Sequence, residues 1–346
     1  MMKASAETHP NIALIKYWGR NPNFPSRLNI PTNDSISMTK ETIHSDKSNI
    51  ELLTHTTIEF SENYEDDEGF LKTETDLLPF NEIQMIRIKK VVDPLRRLAQ
   101  TSLNFKMVSE NKFPTAAGLA SSASAFAALA TAASKALKLD LSKKVLTTFA
   151  RLGSGSAARS IHGGFVRWHK GDSHETSFAE QICPCNEFDI AAVIAVIDRG
   201  EKAVSSDVGI NYAHSSAFNP VRITESQKQA KKITKAILND DFPTVGKIAE
   251  KSCLYMHSVM MTSEPALFYW NPDTLKVIKA IINNRRNEGT DFYFTVDAGP
   301  NVHCFCRMED LDLAQNMLRN IGIPERNLVR VRQAEQGSKV VEKHLF

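Results

Sequence analysis

FPTAAGLASSASAFAALATAASKALKL, residues 113–139, is the stretch around which the rest of this chain is organised. Its first part, Pro114–Ser124, is built from small residues. The remainder is rich in alanine, and its longer side chains recur at helical spacing, which predicts a helix. A small-residue loop before a helix presents unpaired N–H groups and the positive end of the helix dipole, which suits a phosphate. A tightly packed helix start is the alternative, and this segment alone leaves both open.

The loop differs from the best-known phosphate-binding sequence, because no Gly-Lys-Ser/Thr closes it. Three hydroxyl groups, those of Ser121, Ser122 and Ser124, are available to contact a phosphate or a bound metal ion. The sequence therefore predicts a phosphate site of a different type at this position.

The composition is that of a globular protein with two domains. The chain has 346 residues, 42% hydrophobic and 24% charged, and we place a domain boundary at residues 188/189. A formal net charge of +2 gives no electrostatic case for a nucleic-acid partner. We expect no membrane association, because no apolar run could span a bilayer and residues 1–10 lack a signal-peptide core.

The five cysteines do not have the spacing of a zinc or thioredoxin motif. Cys183 and Cys185 are separated by one residue, as are Cys304 and Cys306. We interpret these as reduced cysteines in or near strands, and we expect a cytoplasmic protein without a metal site made by its side chains.

Cations and aromatic residues follow the first predicted strand, Asn11–Ile15. Lys16, Tyr17 and Arg20 lie directly after it, a set that suits an anionic ligand. An aromatic pair packing at a strand end beside solvated cations is the alternative. A second small-residue loop, Gly153–Gly164, contains Arg159, whose planar fork matches a carboxylate or phosphate.

An acidic residue ends a predicted strand near the C-terminus. The strand Asp291–Val296 is followed by Asp297 and then by Ala-Gly-Pro, which forces a turn. Enzymes often place a base at such a position, although an Asx-turn would also explain the residue. His257, on a predicted helix, receives no role.

The remaining pattern mixes helices and strands. A helix is predicted over residues 81–101, with Pro94 expected to kink or end it. Further predictions are strands at 49–53, 57–60, 103–108, 165–168, 191–197, 302–306 and 328–331, and helices at 140–152, 224–239, 242–259, 272–287 and 309–321.

Four segments together resemble the GHMP kinase superfamily and, within it, the mevalonate-diphosphate decarboxylase family. They are Asn11–Gly19 (NIALIKYWG), Phe113–Ser124, Gly153–Ser160 (GSGSAARS) and Thr295–Asn301 (TVDAGPN). The resemblance implies an α+β GHMP kinase fold with two parts. A ribosomal-S5 domain-2-like N-terminal domain would span 1–188, and a ferredoxin-like C-terminal domain 189–346. It also implies an active site in the cleft between them and a homodimer.

The resemblance also implies roles for individual residues. Asp297 would act as the base or orienter at the 3-hydroxyl of a phosphorylated mevalonate, Arg159 would grip its carboxylate, and Lys16 would support charge at the reacting oxygen. The implied binding residues form a larger set. Those for the substrate are Tyr17, Arg20, Ser154 and Ser156, and those for the nucleotide phosphates are Gly118, Leu119, Ala120, Ser121 and Ser122. ATP and Mg²⁺ are the implied cofactors, and elimination of a 3-phosphate with CO₂ is the implied reaction in isoprenoid biosynthesis.

The chain departs from the family pattern at several positions, and the Arg in place of a Lys at the 5-phosphoryl end leaves the substrate open, because it alters the geometry while keeping the charge. Arg20-Asn21-Pro22 stands where the family commonly has Lys-Arg-Asp, and Lys251-Ser252-Cys253 where it commonly has an acid, Ser and Asn. The 5-end could therefore be a diphosphate or a monophosphate. A mevalonate 3,5-bisphosphate decarboxylase that needs no ATP is a further alternative, and a small-molecule kinase without decarboxylation is a more distant one.

Overall fold

The computed structural model describes residues 2–43, 50–113, 121–200 and 202–346. Its strands are β1 (Met2–Thr8), β2 (Asn11–Ile15), β3 (Ser35–Thr42), β4 (Thr54–Ser61), β5 (Glu68–Lys72), β6 (Leu77–Pro79), β7 (Asn104–Asn111), β8 (Phe165–Trp168), β9 (Ala179–Cys183), β10 (Ala191–Ala195), β11 (Tyr293–Val296), β12 (Val302–Cys306), β13 (Leu328–Gln333) and β14 (Ser338–Val341). Its α-helices are α1 (Glu82–Leu98), α2 (Ser121–Ala136), α3 (Lys143–Gly153), α4 (Ser206–Gly209), α5 (Asn219–Leu238), α6 (Phe242–Met261), α7 (Pro272–Glu288) and α8 (Leu311–Asn320). A 3₁₀-helix covers Gly155–Ser160.

The first sheet joins the two ends of the chain. Its six strands have the order β14-β1-β4-β7-β5-β6, so the last strand pairs with the first. Helices α1, α2 and α3 cover this sheet and share one apolar core with it.

Helix α2 is rich in alanine because it is enclosed on nearly every side. It packs against β1, β4 and α3, and Ala127, Ala128, Ala130, Ala132 and Ala133 have no exposed surface. Small side chains let the neighbouring backbones come close at native packing density. This arrangement fixes the start of α2, at Ser121, beside the site described below.

The second sheet has eight strands, ordered β11-β12-β10-β13-β3-β8-β9 with β2 paired to β3. Strand β10 reads AAVIA without interruption because both of its faces are buried. Ala192 and Ile194 face a core that includes residues of α5 and α6, while Ala191 and Val193 face one that includes residues of α7 and α8.

Several local predictions differ from the structure. Pro94 does not end its helix, since α1 continues to Leu98. A proline costs one intrahelical hydrogen bond, and the burial of Val91, Val92 and Leu95 on either side of it keeps the turn in place. No strand covers 50–53, and β1 was not predicted, because its alternating pattern is weak.

The mixture of helices and two sheets confirms the predicted α+β class. The predicted boundary at 188/189 falls between β9 and β10, and the second sheet contains strands from both sides of it. The boundary therefore stays a prediction. In the parts of the chain described above, every helix is too short or too polar to cross a membrane.

Candidate active site

A cavity of about 640 Å³ contains the predicted site residues that the structure describes. Four segments carry the predicted residues: residues 16–20 after β2, the start of α2, residues 154–159 in and before the 3₁₀-helix, and the residue after β11. The predicted residues that line it are Lys16, Tyr17, Arg20, Ser121, Ser122, Ser154, Ser156, Arg159 and Asp297. Gly118, Leu119 and Ala120, predicted to hold nucleotide phosphates, lie outside the described residues.

Lys16, which is buried, and Asp297, whose side chain is 28% exposed, form an ion pair in the wall of the cavity. Lys16 follows β2, Asp297 follows β11, and Lys16 Nζ donates to Asp297 Oδ1 at 2.6 Å. The backbone N–H of Lys16 donates to Ser252 Oγ on α6 at 3.0 Å, which fixes this strand end. Two rigid strand ends therefore hold an ammonium and a carboxylate in contact.

The carboxyl group of Asp297 stays ionised although it is partly buried. Burial alone would raise its pKa, but the opposing charges of Lys16, Lys40 and Arg159 outweigh burial and hold the pKa below the usual range of an aspartate. Asp297 is therefore a hydrogen-bond acceptor at neutral pH.

Arg159 is a buried cation that forms no ion pair with a carboxylate of the described residues. Its Nη1 donates to Ser35 Oγ at 2.6 Å and its Nη2 to Asn11 Oδ1 at 3.4 Å. Among the described residues no carboxylate pairs with it, and its Nε has no hydrogen-bond partner. Burial lowers the pKa of Arg159 to about 10, so the guanidinium is charged at neutral pH. These properties suit the binding of an anion that enters the cavity.

Three serine hydroxyls form a row beside Arg159. Ser122 Oγ lies 3.3 Å from Ser154 Oγ, which lies 3.3 Å from Ser156 Oγ. The ring of Tyr17 packs edge-on against Trp168 at 4.7 Å between centroids. The hydroxyl of Tyr17 is buried and finds no partner within the described residues. Hydroxyls and this free phenol can serve as donors to phosphoryl oxygens.

Arg20 lines the cavity but is already paired within the protein. Its guanidinium forms an ion pair with Asp207, and it also donates to Asn29 Oδ1 at 2.7 Å and to Asn211 Oδ1 at 2.8 Å. A ligand that bound Arg20 would share it with the Asp207 carboxylate, which also lines the cavity.

The far end of the cavity is more apolar. Its walls there come from β5, β7, α1, α2 and the connection before α1, and they include Leu71, Phe80, Ile88, Met107 and Phe126. Arg87 lies at this end and donates from Nη2 to Gly153 O at 2.9 Å. An apolar wall beside a helix N-terminus fits a nucleotide, whose base is flat and apolar and whose phosphates are anionic.

A protein-only metal site has no support in the described parts of the chain. No group of three or more His, Cys, Asp or Glu side chains lies together there, and the five cysteines are free. Mg²⁺ binds commonly through a few protein oxygens and the phosphates of a substrate, so the hydroxyls of Ser121 and Ser122 fit such an ion only together with a nucleotide.

His257 does not face the cavity as a catalyst. It is buried, and its Nε2 accepts a hydrogen bond from Trp270 Nε1 at 3.2 Å. Burial lowers the pKa of His257 to about 3, which keeps the ring neutral. His257 Nε2 also lies 3.3 Å from Val296 O, so the residue packs against the end of β11.

Sequence reasoning missed four charged residues at the site. Lys202, Asp207 and Arg87 line the cavity, and Lys40 acts on Asp297 through its charge. The sequence offered one signal for two of them, because Lys202 and Asp207 flank the pair Ser205-Ser206. Arg87 and Lys40 lie within a helix and a strand, where nothing in the pattern distinguishes them.

Two family descriptions match almost the whole chain. Residues 8–179 match the diphosphomevalonate decarboxylase-like N-terminal domain, and residues 192–344 match the mevalonate 5-diphosphate decarboxylase C-terminal domain. The chain belongs to the diphosphomevalonate decarboxylase family. The predicted resemblance is thus confirmed, and with it the assignment to the GHMP kinase superfamily.

Relatives of this decarboxylase family agree in sequence and in structure. A diphosphomevalonate decarboxylase from Candida albicans is 37% identical over 314 residues, covering 87% of this chain and 83% of that protein. A phosphomevalonate decarboxylase from Haloferax volcanii is 30% identical over 325 residues, covering 93% and 94%. The solved structure of MDDEF in complex with MVAPP, AMPPCP and magnesium superposes with a TM-score of 0.87 at 37% identity, covering 99% of both chains.

Proposed function

We propose that this member of the decarboxylase family converts a 5-phosphorylated mevalonate into the corresponding isopentenyl phosphate, with loss of CO₂ and after ATP-dependent phosphorylation of the 3-hydroxyl. The observation that carries this proposal is the cluster of Lys16, Asp297 and Arg159, an ionised carboxylate surrounded by cations in one cavity. The names of the relatives support the decarboxylation, and the 5-end is considered separately below.

Arg159 is proposed to bind the carboxylate of the substrate. Its guanidinium is buried, charged and without an acidic partner in the described chain. A bidentate contact would hold the C1–C2 bond in the orientation needed for cleavage. Ser35 and Asn11 keep the guanidinium in place from behind.

Asp297 is proposed to act at the 3-hydroxyl. Its carboxylate can accept the hydroxyl proton as the oxygen attacks the terminal phosphorus of the nucleotide. Lys16 then donates to the 3-oxygen and stabilises its negative charge. In the elimination the C3–O bond breaks with its electrons on the leaving phosphate, the C1–C2 bond breaks, and its electron pair forms the C2=C3 double bond as CO₂ departs.

ATP with Mg²⁺ is proposed as the phosphoryl donor, and it supplies the group that makes the tertiary oxygen a leaving group. Ser121 and Ser122 at the start of α2 fit its phosphates, and the apolar wall that includes Leu71 and Phe80 fits its base. AMPPCP and magnesium in the MDDEF structure support the same assignment.

A mevalonate 5-diphosphate is the first candidate substrate, since the Candida albicans relative is named a diphosphomevalonate decarboxylase and the MDDEF structure contains MVAPP. The ion pair of Arg20 with Asp207 favours a second candidate, mevalonate 5-phosphate. Asp207 partly neutralises a cation assigned to the 5-end and adds a negative charge to the wall, which opposes the more highly charged diphosphate.

A single assay tests the proposal and separates its alternatives. CO₂ release is measured with mevalonate 5-diphosphate, mevalonate 5-phosphate and mevalonate 3,5-bisphosphate, each with and without ATP-Mg. We expect release that depends on ATP for the first two. Release only from the bisphosphate would replace ATP dependence by an ATP-independent elimination, and ADP formation without CO₂ would indicate a kinase.

The assembly and location of the protein are also proposals. We propose a homodimer, which sedimentation velocity would distinguish from a monomer, and a cytoplasmic enzyme, which fractionation would test. The division into domains at 188/189 is kept as a proposal, testable by limited proteolysis followed by mass measurement of the fragments.

A further inference from the structure

A lysine and a histidine lie buried in contact behind the cavity. Lys40 on β3 and His303 on β12 are 0% and 1% exposed, and Lys40 Nζ lies 2.7 Å from His303 Nε2. Within the described residues Lys40 forms no ion pair with a carboxylate. An ammonium group enclosed in this way is costly to bury, so its presence requires an explanation.

The pair lies next to the strand end that carries Asp297. His303 is directly opposite Thr295 on the neighbouring strand β11, and directly opposed residues in an antiparallel pair share a face of the sheet. Thr295 precedes Asp297 by two residues. Lys40 is close enough for its charge to act on both Asp297 and Lys16, although neither Lys40 nor His303 lines the cavity.

We propose that Lys40, held by His303, is a positioning residue that acts through Asp297, and that loss of its proton weakens substrate binding as the pH rises. The proposal rests on the proposed function for the role of Asp297. The placement and titration of Lys40 do not depend on it.

The charged groups around Lys40 determine the direction of the effect. Burial lowers the pKa of Lys40 to about 7; Asp297 raises that pKa and Lys16 lowers it. Burial and the nearby lysines keep the pKa of His303 well below its usual value, so the ring is neutral and Nε2 accepts from the ammonium. From α6, Cys253 and His257 face the same strand end, and both are uncharged, because burial raises the thiol pKa to about 11 and lowers the imidazole pKa to about 3.

Lys40 therefore changes its charge near neutral pH. Below its pKa the ammonium stabilises the Asp297 carboxylate and adds to the positive field that attracts an anionic substrate. Above its pKa this charge is lost. A bound anion favours the protonated form, so the upper limb of kcat should lie at higher pH than that of kcat/KM.

Kinetics of a near-isosteric variant test the charge. In Lys40→Met we expect kcat/KM at pH 6 to fall about tenfold, the scale of one pKa unit of interaction, with the difference vanishing by about pH 8.5. The control is Lys135→Met, the same change at an exposed position on α2. A pH profile in Lys40→Met that parallels the wild type would overturn the proposal.

Nuclear magnetic resonance of the wild-type protein gives a readout that needs no activity. With ¹³Cε-labelled lysine, one resonance should titrate near pH 7, be missing in Lys40→Met, and shift to higher pH when mevalonate 5-phosphate is added. The absence of any lysine titrating between about pH 6 and 8.5 would contradict the proposal. If the Lys40 resonance titrates near pH 7 but the protein decarboxylates none of the substrates, the titration of Lys40 is supported and the proposed function is rejected.

Discussion

At the scale of single residues, Arg159 shows how burial and a missing counter-ion together point to a ligand. A surface arginine would be hydrated, and a structural arginine in a core normally meets a carboxylate. Arg159 is buried against two neutral oxygens, those of Ser35 and Asn11. The arrangement is most favourable when an anion completes it.

Arg159→Lys should therefore lose well over tenfold in kcat/KM. The lysine keeps the charge but replaces a planar fork by a point contact, so the substrate carboxylate loses its orientation. Steady-state kinetics measure the loss, with Arg97→Lys, an exposed position on α1, as the control. Turnover within twofold of the wild type would remove Arg159 from the carboxylate site.

Individual residues of the site differ in how far the sequence predicts them. Lys16 and Asp297 follow apolar strands directly, and residues at strand ends lie at the edge of a sheet, so their importance is readable from the sequence. Lys40 lies inside β3 among alternating residues, and the sequence does not show that its side chain is enclosed. The partner of Arg20, Asp207, is 187 residues away, and only the fold brings the two together.

At the scale of elements, the loop that carries Arg159 is fixed by contacts between helices. Gly153 ends α3, and a Cβ atom there would lie 2.1 Å from Phe126 Cδ1 on α2. Arg87 on α1 donates to the carbonyl of the same glycine and lies over the Phe126 ring at 4.9 Å. Helices α1, α2 and α3 thus contact one another at Gly153, shortly before the 3₁₀-helix.

Gly153→Ala should destabilise the protein. Alanine gains about 1 kcal/mol over glycine in a helix, but overpacking a closed site costs about 1–3 kcal/mol, so the net effect should be a loss. Urea denaturation measures it. The double variant Gly153→Ala/Phe126→Leu should recover part of the loss, and an equal or greater loss in the double variant would show that the contact with Phe126 is not the cause.

Elements with a clear hydrophobic periodicity or clear end signals in the sequence were predicted well. Elements held only by residues distant in sequence were not. Helix α7 was predicted to within one residue, because Pro272 starts it and Gly289 follows it. Strand β1 was missed, since its residues are small or polar and its order comes from pairing with β4 and β14. Tertiary contacts of this kind leave no local pattern in the sequence.

At the scale of the whole molecule, the last strand, β14, pairs with β1 at the edge of the first sheet. Thr8 Oγ1 donates to Ser338 Oγ at 2.8 Å, and Ser338 Oγ donates to Thr131 Oγ1 on α2 at 2.6 Å. The end of the chain is therefore tied both to the first strand and to the helix whose start lines the cavity.

Deletion of residues 338–346 should lower the melting temperature by several degrees and reduce activity. The deletion removes β14, exposes the edge of β1 and removes the Ser338 hydroxyl that accepts from the buried Thr8 and donates to Thr131. Deletion of 343–346 alone keeps β14 and is the matched control. Equal melting temperatures for the two truncated proteins would show that β14 does not hold the sheet.

The central claim is that the ionised carboxylate of Asp297, held by Lys16, performs the chemistry in this cavity. Asp297→Asn keeps the size of the side chain and removes its charge. We expect its turnover to fall by roughly two orders of magnitude or more, the scale of general-base and electrostatic roles, in a protein that still folds.

Turnover of Asp297→Asn on 5-phosphorylated mevalonates with ATP-Mg, and on mevalonate 3,5-bisphosphate without it, is the most direct test of this claim. Loss on the former alone assigns Asp297 to phosphoryl transfer, and loss on both assigns it to the elimination as well. Either result agrees with the claim. Wild-type turnover of Asp297→Asn on every substrate that the wild-type protein decarboxylates would contradict it.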